Sequence, residues 1–88
     1  MQHPPHPAIA RRLKRASGHL ETIIGMVEQG RPCAEIAQQL QAVESAIESA
    51  KKALIHDHIS DSLQRSFKAS GAKGRAALGD LKLIAKYL

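Results

Sequence analysis

One cysteine and two aromatic residues are all that this chain of 88 residues has of either kind, and it has no tryptophan. A single thiol forbids an internal disulfide, and with no export signal in view it fits a reducing cytosol. Phe67 and Tyr87 are too few for the stacked aromatics on which sheet-based and OB-type nucleic-acid platforms rely. Proline is absent after Pro32, so nothing obliges a later helix to break. No apolar run approaches the ~18 residues of a membrane span. No segment alternates apolar and polar residues as a half-buried strand would, and no internal repeat is present. The expectation is a cytoplasmic, soluble, all-α chain without a membrane partner.

What is present is periodic. Ile9, Leu13, Ala16, Leu20, Ile23 and Val27 are spaced 4, 3, 4, 3, 4, and Ile36, Leu40, Val43, Ile47, Ala50 and Leu54 repeat that spacing. Both sets are heptad seams. They predict one helix over about residues 7–29 and a second over about 32–66, with Gly30 as the stop and Pro32 at the first helical position. Gly30-Arg31-Pro32 is short enough to force an antiparallel hairpin. Ser70-Gly71-Ala72-Lys73-Gly74 ends the second helix, and a third of about 14 residues carries Leu78, Leu81, Ile84 and Leu88 on one face. His3, Pro4, Pro5, His6 and Pro7 make residues 1–7 an extended, mobile N-terminal arm. Residues 8–88 form a single helical domain. A domain this small buries only about 60% of its unfolded surface, so a long second helix calls for a homo-oligomer to cover its seam.

Charge indicates the partner. The formal net charge is +5. Arg11, Arg12, Lys14 and Arg15 cluster in the first helix, Lys51 and Lys52 lie midway along the second, and Arg65, Lys68, Lys73, Arg75, Lys82 and Lys86 follow. Basic clusters of this kind favour nucleic acid ahead of a membrane surface. No pair of short helices surrounds a tight turn, so there is no helix-turn-helix. A basic surface of long helices would grip duplex DNA mainly through phosphates, and sequence preference would come partly from DNA shape. Enzymatic chemistry is not expected: the chain has no nucleophile–base–orienter set and no glycine-rich phosphate loop.

Cys33 and His58 stand 25 positions apart, almost seven turns, so a continuous helix carries both on one face but roughly 37 Å from each other. One chain could not bring thiol and imidazole together. An antiparallel copy crossing near residues 45 and 46 would set Cys33 of one chain beside His58 of the other, making the site a property of the dimer.

These residues resemble the CsoR/RcnR/FrmR family of small bacterial repressors. The similarity is carried in order by Arg12-Leu13-Lys14-Arg15-Ala16-Ser17-Gly18-His19-Leu20, Pro32-Cys33, Gln38-Gln39-Leu40-Gln41-Ala42-Val43 and His56-Asp57-His58-Ile59, and extends over residues 8–88. The resemblance implies a three-helix subunit in an antiparallel dimer, assembled as a dimer-of-dimers tetramer. It implies that the apo protein represses an efflux or detoxification operon and that effector binding between subunits releases it. It places DNA contacts on Arg12, Lys14 and Arg15; Arg11, Lys51 and Lys52 are added from charge and position.

The effector is where the chain departs from the pattern. Copper-sensing members follow the cysteine and histidine with a second cysteine, and here that position is Ser62. Cu(I) prefers soft thiolates, so losing one makes copper the weaker choice. Nickel and cobalt sensors place a histidine there and recruit an N-terminal histidine. Here Asp61 offers an oxygen ligand three residues after His58, and His3 and His6 offer the N-terminal imidazole. Cys33, His58, Asp61 and one such imidazole suit Ni(II), Co(II) or Zn(II). Formaldehyde sensors of the family lack the second cysteine too and need no metal. They bridge the thiolate to an N-terminal proline, whereas here Gln2 follows Met1, leaving the Met1 α-amino group or a lysine as the amine. A helical adaptor or metal-handling protein that does not bind DNA shares the same features.

Each residue also has a plainer role. A lone cysteine is commonly a small buried hydrophobe, although the first turn of a helix favours the thiolate that ligates and reacts. His58 alone reads as an interface histidine, His56 as solvated and His19 as structural. Ser62 reads most simply as a surface hydroxyl.

Overall fold

The structure, a computed structural model, describes residues 5–68 and 71–88, and all helical side chains among them but those of residues 66–68, 72–74 and 77. It consists of three helices: α1 (Pro7–Glu28), α2 (Cys33–Lys68) and α3 (Ala72–Ala85). Among the described residues there is no strand, and no helix is long and apolar enough to cross a membrane. His3 and Ser70 lie outside the described residues, as do the side chains of Lys68 and Lys73.

The helix boundaries follow from local chemistry. His6 caps α1 with a left-handed backbone (φ 48°), and its carbonyl accepts from the Ala10 N–H at 3.0 Å. Pro7 comes first in the helix, where its missing N–H costs nothing. At the other end Gly30 adopts φ 70°. Its N–H reaches the Val27 carbonyl at 3.1 Å, and the Arg31 N–H reaches the Met26 carbonyl at 3.0 Å. That pair of bonds is a Schellman stop. The Pro32 carbonyl then accepts from Glu35 at 3.0 Å and Ile36 at 3.2 Å. Pro32 is therefore the cap and Cys33 the first helical residue, one position later than the periodicity suggests. Gly71, at φ 62°, precedes α3.

The chain divides into two compact units, Met1–Lys51 and Lys52–Leu88. In the first, α1 and the opening of α2 form the expected antiparallel hairpin around Ile9, Ala16, Ile23, Val43 and Ala50, all buried. His19 Nε2 lies 2.6 Å from Gln39 Oε1, tying the two helices together. Only alternate members of each heptad seam are covered. Leu13, Leu20 and Val27 stay exposed on α1, as do Leu40 and Ile47 on α2.

Among the described residues of the second unit, Ile55 and Ser62 are buried. Leu54, which the seam places inside, is exposed, because from residue 52 onward α2 belongs to a unit with α3 and no longer with α1. On α3, Leu81 and Ile84 are half-buried, whereas Leu78 and Leu88 of the same predicted face are exposed.

Candidate metal and nucleic-acid sites

The basic segment of α1 reaches solvent in full: Arg11, Arg12, Lys14 and Arg15 are all exposed. Arg12 and Arg15 line a groove of about 450 Å³ with Ala16, His19, Ala46 and Ser49. Two guanidinium groups and a hydroxyl on one concave surface suit a phosphate-bearing ligand. Lys52 is exposed. Lys51 pairs with Glu48 at 3.3 Å. An exposed pair of that kind is worth little and yields readily to a phosphate.

The effector residues divide between the units. Cys33 opens α2 with its thiol exposed, so the reading of it as a buried hydrophobe does not hold. His58, Asp61 and Ser62 belong to the second unit. His58 is half-buried, with Nε2 3.4 Å from Asp80 Oδ2 on α3. Asp61 Oδ2 forms an ion pair with Arg65 Nε at 3.2 Å. Ser62 is no surface hydroxyl: it is completely buried, and its Oγ accepts a hydrogen bond from Arg65 Nη2 at 3.1 Å. Ser62 follows Ile55 by one heptad and shares its buried face. Arg65 Nη2 also lies 3.5 Å from Asp80 Oδ2.

Arg65 and Asp80 are functional candidates that the sequence reading did not single out. Arg65 carried a local signal, since it stands four residues after Asp61 and seven after His58 on one helical face. Asp80 carried none, because its partners come from another helix. Among the described residues no group of three or more histidine, cysteine, aspartate or glutamate side chains is gathered closely enough to hold a metal. His6 is half-buried at the cap of α1, and His56 is exposed.

A family model described as "Metal-sensitive transcriptional repressor" matches residues 6–86. The chain belongs to that family. Members of the family are transcriptional repressors and not enzymes. The copper-sensing transcriptional repressor CsoR of Mycobacterium ulcerans is 38% identical over 82 residues, 91% of this chain and 67% of the relative. The copper-sensing repressor RicR of Mycobacterium tuberculosis is 33% identical over 70 residues, 77% of this chain and 73% of the relative. CsoR of Bacillus subtilis is 33% identical over 73 residues, 83% of this chain and 70% of the relative. The chain thus spans about two thirds of the length of these curated relatives. Among solved structures, the nickel-responsive transcriptional regulator InrS superposes with a TM-score of 0.81 over 99% of this chain and 96% of its own, at 24% identity. That likeness establishes the three-helix fold.

Proposed function

We propose that this repressor binds operator DNA in its apo form through Arg11, Arg12, Lys14, Arg15, Lys51 and Lys52. A transition metal, held between subunits by Cys33 of one and His58 of the other, releases it. The observation that carries the reading is the extent of the family match, which takes in the basic segment of α1, Cys33 and His58 together. The grooved pair Arg12 and Arg15 supports the DNA assignment. The working unit is a homo-oligomer, a dimer or dimer of dimers, which the exposed half of each heptad seam supports. With DNA as its partner it acts in the cytoplasm, on residues 8–88 as one functional domain.

The donors fit a borderline metal by type, an exposed thiol and a half-buried imidazole. The curated relatives are named for copper, but this chain has one cysteine, so each copy offers one soft donor. That places Ni(II), Co(II) or Zn(II) ahead of Cu(I). Asp61, His3 and His6 are the remaining candidate donors. Ser62 is the weakest, since its hydroxyl is already hydrogen-bonded to Arg65. The single cysteine is equally compatible with a second reading, in which formaldehyde joins the Cys33 thiolate to an amine as a methylene bridge with loss of water.

Fluorescence anisotropy on duplex DNA from the protein's own upstream region tests both. Release by one of Ni(II), Co(II), Zn(II) or Cu(I) in the parent, and not in Cys33→Ala, is the expected result. Release by formaldehyde alone selects the second reading. Binding no tighter than to random DNA at low salt overturns the repressor assignment for these basic residues.

A further inference from the structure

We propose that Gln39 is a positioning residue for DNA binding. Its hydrogen bond to His19 holds α2 against α1 in the arrangement that shapes the Arg12 and Arg15 groove, and effector binding at the start of α2 breaks that bond. The inference deepens the effector-released repressor reading above and rests on it.

Groove, hydrogen bond and thiol all lie in the first unit, Met1–Lys51. The groove has a wall from each helix: Arg12, Arg15, Ala16 and His19 come from α1, Ala46 and Ser49 from α2. Its shape therefore depends on how α2 is rotated and shifted along α1. Burial of Ile9, Ala16, Ile23, Val43 and Ala50 holds the two helices together, but that attraction has no direction. His19 supplies the direction. Its Nε2 donates to Gln39 Oε1 at 2.6 Å, and both side chains are half-buried. A displacement of about 1 Å takes the two atoms beyond useful hydrogen-bond distance.

Gln39 also stands near the effector residue. Cys33 is the first residue of α2, and Gln39 follows six residues later, about 9 Å along the axis. The helix between them is continuous and has no proline or glycine to absorb a displacement. An effector that draws the Cys33 thiol toward a second subunit moves Gln39 with it, while His19 stays with α1. The bond opens, and Ala46 and Ser49 leave their places across from Arg12 and Arg15. The bond is thus made in the arrangement that suits phosphate and lost in the other. Linkage between two sites needs a two-state element of this kind.

The experiment compares the full chain as parent, Gln39→Met and His19→Gln. Gln39→Met keeps the length and helix preference but removes the acceptor, and His19→Gln keeps an N–H donor. Anisotropy on operator DNA gives affinities over a salt series, without effector and with whichever of Ni(II), Co(II), Zn(II), Cu(I) or formaldehyde releases the parent. Without effector, Gln39→Met is expected to bind about threefold to tenfold more weakly, the net worth of one hydrogen bond. Its slope of log affinity against log salt should match the parent, because no phosphate contact is lost. Its affinity with effector bound should also match, so the factor of release shrinks in the same ratio. His19→Gln should stay near the parent in every respect. A merely structural Gln39 would weaken both states alike and leave the factor of release unchanged. That result overturns the inference, as does a Gln39→Met that behaves as the parent does, and both leave the repressor reading standing. A slope flattened by about one unit would place residue 39 against phosphate and overturns its positioning role. A parent that no effector of the series releases sinks the effector reading and the inference together. His19→Phe, which removes the donor instead, carries the same expectations if Gln39→Met does not fold.

Discussion

Arg12 and Arg15 occupy positions i and i+3 of α1, so their side chains leave the helix on one side and line the same groove as His19 and Ser49. Each arginine that meets a phosphate releases condensed counterions, which ties affinity to salt. Arg15→Ala is expected to weaken operator and random DNA alike and to flatten the slope of log affinity against log salt by about one unit. Affinity titrations between low and moderate salt measure it, and an unchanged slope would take Arg15 out of the interface. At this scale the sequence was informative where chemistry is local. A run of cations, a lone thiol at a helix start and a histidine in register with it are all visible as letters. Ser62 was not, because its burial is set by tertiary packing and not by its residue type. The Asp80 carboxylate that joins His58 to Arg65 is a tertiary fact with no trace in the spacing of residues 58–65.

Two glycines, one within α1 and one just past its end, show how the elements are set. Gly18 lies within the helix with nothing inside 4 Å of where a Cβ would stand, and Gly30 has the same free space but sits at φ +70°. Space is therefore equal and only the backbone differs. Gly18→Ala should stabilise the chain by about 0.5–1 kcal/mol, since glycine loses more freedom on entering a helix. Gly30→Ala should cost about 1–2 kcal/mol, the penalty for an L side chain in the left-handed region. For a chain of this size 1 kcal/mol corresponds to roughly 4–8 °C in melting temperature, so calorimetry should show shifts of opposite sign. Two shifts of the same sign would mean that Gly30 does not hold the Schellman stop. The stops and starts were legible for this reason: Gly30, Pro32 and Gly71 act through backbone geometry that the residue type dictates. The helix ends moved by only a residue or two from expectation. The burial pattern along α2 was less legible, because two different helices cover it, and Leu54 and Ile55 exchange roles where one unit gives way to the next.

For the molecule as a whole, the exposed half of each seam is the decisive feature. Leu13, Leu20, Val43 and Ile47, with Ala16 and Ser17, line an apolar groove of about 210 Å³ between α1 and α2. Leu20 and Ile47 are 41% and 47% exposed in the single chain. Covering a leucine or isoleucine side chain fully is worth about 1.5–3 kcal/mol. A heptad repeat places such residues in rows, and a twofold assembly uses the same row from both copies. A second copy of the chain is thus the occupant that the pattern favours, in keeping with the effector site proposed between subunits. Leu20→Lys, which puts a cation into that groove, should shift sedimentation to a smaller species. It should also weaken operator binding in step, because one subunit presents half the basic surface. Gln41→Lys adds the same charge at an exposed polar position of α2 and should leave the mass unchanged. If Leu20→Lys sediments as the parent does, the groove is not where the subunits meet, and the crossing of two α2 helices near residues 45 and 46 would have to be held from another face.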